Sequence, residues 1–478
     1  MNSLAGKIKN KTSLRNLIAM VSAIALPVAL QNLLTTTGSM IDTIMIASLG
    51  EQSVGAIGLC AQFSSLMFSG YWGFVGGGML FFSQFYGAQD HDNIRRSFGM
   101  TLVFMMISGL VFGSLAVFAP LTVMRLYTDS EAIQQIGVSY MRLVGFSYPF
   151  QVIAMAQSAL LRSTGHVHIP LIGGICAILT NFTVNFILIF GHLGFPAMGV
   201  AGAAVGTIVS CIVNVAVIMI LSKIRHIPYV LDFSMHFRWK RTLLKEYLKK
   251  SAPIIANEAM IGIGNMMINI VLGHQAEYAI AATAVFRTLE GIIIAFFSGF
   301  SNAATVLIGK EIGAGRHEES WSRAYRLVYL CQVLTLLACL GLIAIHTPLL
   351  TVMGLSSESF RTAYGMLLIY TAAAFIRMGN WCMNDTYRAG GDPAFGSTLE
   401  ILFMFGMVQP AIHLANDFFH WPFLIVFALC YCDEPVRYII MQIHMYSGRW
   451  IRPVSGPGKA SIGAFREKYG IVMPKEKG

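Results

Sequence analysis

The chain has 478 residues, 55% of them hydrophobic and only 12% charged, with a mean hydropathy of +0.65. A soluble domain carries about twice that share of charge, and here the apolar residues fall in blocks of about 20 or more, the length that crosses a ~30 Å hydrocarbon layer. The formal charge of +10 gathers at residues 7–15, 223–250 and 310–326 and after 449, with no basic face interleaved with aromatics, which excludes nucleic acid and leaves the lipid bilayer as the surrounding partner.

In chain order the blocks predict twelve spans, near 17–46, 53–85, 97–119, 132–158, 167–190, 198–222, 251–272, 279–309, 323–346, 359–386, 394–415 and 421–446. The first follows Lys7, Lys9, Lys11 and Arg15 and contains Ala23-x-Ala25, a pattern that resembles a cleaved secretory signal. Its apolar run continues well past that point, so a retained helix is expected. Residues 223–250, with Pro228 and an amphipathic stretch at 238–250, read as a connector between two six-span halves at 1–222 and 251–446. Residues 447–478 form a basic tail. Placing both termini on the cytoplasmic side puts 27 of the 33 Lys and Arg residues there, as the positive-inside rule requires.

The two halves repeat. Pro27 and Pro253, Gly87-Ala88 and Gly313-Ala314, His91 and His317, and Arg162 and Arg388 each recur at a spacing of 226 residues. Six spans is an even number, so both halves enter the membrane with the same orientation, a repeat type used by secondary transporters. The expected fold is therefore all-α and polytopic, with two pseudo-symmetric lobes.

Soluble-enzyme signatures are lacking, and so is a phosphate loop, so no enzymatic activity is expected and uphill transport would draw on an ion gradient. All eight cysteines lie in apolar blocks, where Cys430 and Cys432 read as small hydrophobes rather than metal ligands. Charged groups inside spans cost several kcal/mol unless they face water or a partner, which makes each one a functional candidate. Asp42, in the outer part of span 1, either takes a proton or cation or reaches interfacial water from a helix end. Glu258, five residues after Pro253, stands where the first half carries Asn32, and either couples to a cation or pairs with Lys249 or Lys250. Arg287 and Glu290, three apart on span 8, read as a structural pair. Asn181 and Asn185 share one face of span 5, as sodium ligands with Asp42 or as interhelical hydrogen bonds. Gly73-x-x-x-Gly77, Gly109-x-x-x-Gly113 and Gly202-x-x-x-Gly206 predict close helix packing. His166 and His168 in a short turn form no evident metal site. Pro27 and Pro253 are hinge candidates, because proline removes a backbone hydrogen bond.

These residues resemble a known family. Leu26-Pro27 with Asp42-Thr43 and Ser48-Leu49-Gly50, Gln84 with Gly87-Ala88, Leu161-Arg162-Ser163-Thr164-Gly165, Met198-Gly199-Val200-Ala201-Gly202-Ala203-Ala204 and Arg388-Ala389-Gly390-Gly391-Asp392 are similar to motifs of the multidrug and toxic compound extrusion (MATE) family. The resemblance covers residues from about 15 to 455. It implies a V-shaped pair of six-helix lobes, without a cofactor, exporting organic cations or amphipathic small molecules in exchange for H+ or Na+ by alternating access. By the same resemblance Asp42 matches the aspartate of an N-lobe cation site, with Asn181 beside it and Thr207 as a further ligand. Asn185 falls where many members carry an aspartate, and Glu258 matches the span-7 glutamate of a C-lobe site. The span-10 aspartate of that second site has no counterpart at Arg377 or Met378. Any bound Na+ would lie at Asp42 and Asn181. A monomer in the cell membrane is expected. The alternative within the superfamily is a flippase for lipid-linked saccharides, which predicts a cationic cavity drawn from Arg142, Arg287 and Arg377.

Overall fold

The computed structural model describes residues 14–273, 277–352 and 355–473, and the regular structure among them is entirely helical. Ten of the described helices are long and apolar enough to cross a membrane. They are spans 1 (Leu14–Ala47), 2 (Glu51–Gly87), 3 (His91–Phe118), 5 (His168–Phe190), 6 (Val200–Ile224), 7 (Arg241–Gly273), 8 (Glu277–Gly313), 9 (His317–Ala344), 10 (Ser357–Gly390) and 11 (from Pro393 to Phe418).

Spans 4 and 12 complete the set of twelve and escape a length criterion because each is broken. Span 4 runs as Glu131–Val144, a single 3-10 turn at Gly145–Ser147, then Tyr148–Ser163. Pro149 explains the break, since it has no N–H to offer the preceding turn. Gly113 of span 3 exploits it: a Cβ there would lie 3.2 Å from the Gly145 carbonyl oxygen. Span 12 is Phe423–Leu429 and Glu434–Ser447, with Pro435 following the interruption. Span 11 stays continuous through π segments at Met404–Val408 and Leu414–Phe418, the first of which precedes Pro410.

Span 7 starts at Arg241, so residues 241–250, expected to belong to the connector, are its first turns. The reason is burial: Tyr247 is fully buried and its hydroxyl lies 3.0 Å from that of Thr101 on span 3. The rest of the connector holds two one-turn helices, Pro228–Leu231 and Phe233–His236. Buried His236 donates from Nε2 to the Tyr229 carbonyl at 2.9 Å and packs edge-on against Phe98. The basic tail contains a further helix, Gly456–Tyr469, whose Phe465 packs against Trp321 while Ser461 meets His317 at 2.9 Å.

Contacts divide the described chain into two compact units. One comprises residues 30–82 and 91–248, the other 14–29, 83–90 and 249–473. The chain passes from one unit to the other inside three helices, spans 1, 2 and 7. The second unit has a continuous apolar core from Leu17 to Phe465. Within it the ends of spans 2 and 8 meet through their repeat motifs. A Cβ on Gly87 would overlap the Lys310 carbonyl, and one on Gly313 would overlap the Gln84 carbonyl. The buried Gln84 side chain donates to Ala389 O at 2.7 Å and accepts from the Val454 N–H at 2.8 Å, tying the tail to the ends of spans 2 and 10.

Candidate cation-coupling site

The first unit holds a small apolar cluster in which Met45 and Ile46 of span 1 pack with Ile189 of span 5 and Ala203 of span 6. One turn earlier on span 1 lies Asp42. Asn185, 1% exposed, donates its amide nitrogen to Asp42 Oδ1 at 2.9 Å and to Asn181 Oδ1 at 3.1 Å. One NH2 group thus serves two acceptors, as an ionised Asp42 allows. The four-residue spacing predicted that Asn181 and Asn185 share a face, and the structure brings that face to Asp42. Glycines make this approach sterically feasible. A Cβ on Gly206 would overlap the Asn185 amide oxygen, and one on Gly202 would lie 2.7 Å from the Leu188 carbonyl carbon. The Gly202-x-x-x-Gly206 face therefore closes span 6 onto span 5. Thr207 donates to Ala203 O at 3.0 Å and lies one turn after that cluster residue on span 6. Tyr140 of span 4, which nothing in the sequence marked, packs against the same apolar cluster.

In the second unit Glu258 pairs with Arg388 of span 10 at 3.1 Å, rather than with Lys249 or Lys250, the partners expected from their proximity in sequence. Lys250 instead donates to the Gly391 carbonyl, where the positive φ of 93° and the close approach of Arg452 both require glycine. Arg388 also holds Asp385 at 3.5 Å, and Asp385 accepts from the Ser301 hydroxyl. Asp385 thus supplies an acid on span 10, one turn before Arg388 and away from Arg377 and Met378. Beside this group Glu400 accepts from Asn257 at 3.0 Å and Asn384 at 2.9 Å. Arg437 spans Glu434, Asp433 and Glu400 at 2.8, 3.4 and 3.8 Å. Sequence reading missed Asp385, Glu400 and Arg437, although the spacings Asp385–Arg388, Asp433–Arg437 and Glu434–Arg437 are helical ion-pair spacings.

The repeat-related arginines keep unlike company. Arg162, buried in the first unit, donates to Ser158 O at 3.3 Å and to Met155 Sδ at 3.7 Å, whereas Arg388 has two carboxylates. His166 and His168 flank a turn, and among the described residues no three His, Cys, Asp or Glu side chains gather as a metal site. Burial pushes the His166 imidazole below its ordinary value.

Twelve membrane helices in two sequence repeats, with ionisable groups held inside each unit, define a multi-pass membrane transporter. A model of the MatE family matches residues 27–187 and 253–408, once in each repeat, and the chain belongs to that family. Curated relatives include the uncharacterized transporter YisQ of Bacillus subtilis strain 168, 24% identical over 86% of this chain and 90% of that one. The probable multidrug resistance protein YoeA of the same strain is 22% identical over 83% and 87%. Among solved structures, a MOP superfamily transporter from Pyrococcus furiosus, for which a binding pocket of reversed polarity suggests a different function, aligns with a TM-score of 0.79 at 17% identity over 90% and 96%. The Vibrio cholerae MATE transporter VcmN, solved as a mutant, aligns at 0.78 and 17% identity over 91% and 96%. At such identities the structural likeness speaks to the fold alone.

Proposed function

We propose that this chain is a secondary antiporter of the cell membrane that exports organic cations or amphipathic small molecules in exchange for H+ or Na+. Several relatives carry multidrug resistance or export names, among them YoeA and the NorM proteins of Neisseria meningitidis, which supports this cargo class. The observation that carries the reading is the hydrogen-bonded chain Asp42–Asn185–Asn181, an ionisable carboxylate tuned by a neutral amide inside a span.

The orientation of Asn185 favours the proton as coupling ion. A sodium ion at this point would need oxygen ligands, yet the amide nitrogen lies between Asp42 Oδ1 and Asn181 Oδ1. A proton needs no such space: it adds to Asp42 and cancels the charge that attracts a cationic cargo. Release outward would then follow from rearrangement of spans 1 and 7 near Pro27 and Pro253, which lie inside helices shared by the two units. Glu258, already matched to Arg388, is a second coupling group, and Thr207 is a further ligand candidate at the first. We place the lobes at 1–222 and 241–446, with a connector at 223–240 that ends where span 7 begins, a tail at 447–478, both termini in the cytoplasm and a monomer as the working form.

The test is efflux of a fluorescent organic cation from proteoliposomes under a proton gradient and, separately, a sodium gradient. Proton-driven efflux that falls at least about tenfold in Asp42→Asn is the expected result. Efflux that survives in the double variant Asp42→Asn, Glu258→Gln would remove both proposed coupling groups. If neither gradient moves any cation, the lipid-linked saccharide flippase becomes the better reading.

A further inference from the structure

The second unit contains a charge arrangement that the coupling scheme does not use. Glu290 of span 8, 3% exposed, accepts from two guanidinium groups at once. Arg287 reaches its Oε2 at 2.7 Å and Arg377 of span 10 reaches its Oε1 at 2.9 Å. The two cations differ in freedom. Arg377 is caged, its guanidinium carbon 5.7 Å from the Tyr370 ring and 5.1 Å from the Tyr431 ring, both of which are buried. Arg287 is 40% exposed, and it also donates to the exposed amide of Asn269 on span 7 at 3.2 Å.

Position gives this exposure its meaning. Arg287 is about 15 Å along span 8 from its start at Glu277, at a rise of 1.5 Å per residue. An arginine at that depth does not present its guanidinium to lipid tails; it faces water or a bound group. Glu290 is thus one carboxylate serving two guanidinium groups, while Arg437 holds Glu434, Asp433 and Glu400 and Arg388 holds Glu258 and Asp385; among the described residues no ion pair joins any of these other acids to Arg287. Apolar surface lies alongside. Met266, one turn from Asn269, is 63% exposed, and Ile280, two turns from Arg287, is 42% exposed.

We infer that Arg287, with Asn269, is a subsite for the carboxylate of a zwitterionic amphiphile, and that Glu290 and Arg377 are positioning residues that hold Arg287 toward it. Arg287 offers N–H donors in a planar fork suited to a carboxylate, and Met266 and Ile280 offer apolar contact to the body of the same molecule. The inference rests on the export reading and adds to it a specificity-determining residue, Arg287, for cargo that bears an acid group.

The experiment is equilibrium binding to the purified full-length protein, without any gradient, of a rhodamine bearing a free carboxylate and of its ethyl ester. The two dyes differ in the acid group alone. The expected result is that Arg287→Gln weakens binding of the acid dye by about 10- to 100-fold and that of the ester by less than about threefold, the worth of a charge-assisted hydrogen bond. Arg287→Lys, which keeps the ion pair with Glu290, is expected to retain an intermediate affinity for the acid and full affinity for the ester. Equal weakening of both dyes by Arg287→Gln, with Arg287→Lys equally affected, would overturn the subsite. If the unaltered protein binds the ester and not the acid, the subsite is overturned while the export reading stands. If it binds neither, both fall.

Discussion

At the scale of residues, Asn185 decides what the Asp42 site accepts. Asn185→Asp replaces an amide nitrogen between two oxygens by a third oxygen and a second negative charge. The expected outcome is efflux that responds to a sodium gradient, measured in the same vesicles, where the unaltered protein responds to protons. An unchanged ion preference would show that the amide is not what turns sodium away. His236 offers a second residue-scale expectation, outside the spans. Its burial lowers the imidazole below the ordinary 6.5, while the Tyr229 carbonyl and Asp232 act upward and Arg95 downward. The folded chain therefore keeps His236 neutral where the unfolded chain begins to protonate, so stability is present above about pH 6.5 and falls as pH drops below it. The melting temperature should be lower at pH 5.5 than at 7.5, and the difference should shrink in His236→Gln. Asp42, Asn181 and Asn185 were legible in the sequence because helical spacing alone aligns the two amides. The partner of Glu258 was not, since Arg388 lies on a different helix and only packing brings it near.

At the scale of elements, glycine placement controls which helices close on one another. Gly206→Ala pushes a methyl group into the Asn185 amide, so it should lower efflux as much as Asn185→Ala does, although Gly206 itself bears no chemistry. Equal protein yield with full efflux would disprove that coupling. The sequence showed ten spans as plain apolar lengths and hid the form of the other two. Pro149 and Pro435 were visible, yet whether a proline kinks a span or breaks it depends on the neighbours that take up the freed backbone groups. The start of span 7 was hidden for a related reason. Its first turns are polar and become helix because Tyr247 is buried against span 3.

At the scale of the whole molecule, the topology assignment is open to direct measurement. A cysteine at Leu193, 82% exposed between spans 5 and 6, should react with an impermeant reagent from outside the cell. One at Lys459 should react only after permeabilisation, and the reverse pattern would invert the assignment. The crossing of spans 2 and 8 has a consequence of another kind. Gly87 faces the Lys310 carbonyl and Gly313 faces the Gln84 carbonyl, and each residue of one pair stands 226 positions from its counterpart in the other. The contact is self-complementary, the signature of a twofold axis between identical partners. A single six-span ancestor could have formed this contact as a homodimer before its gene was doubled. In a fused chain the two copies need no longer match, and here Asn32 stands in one half where Glu258 stands in the other.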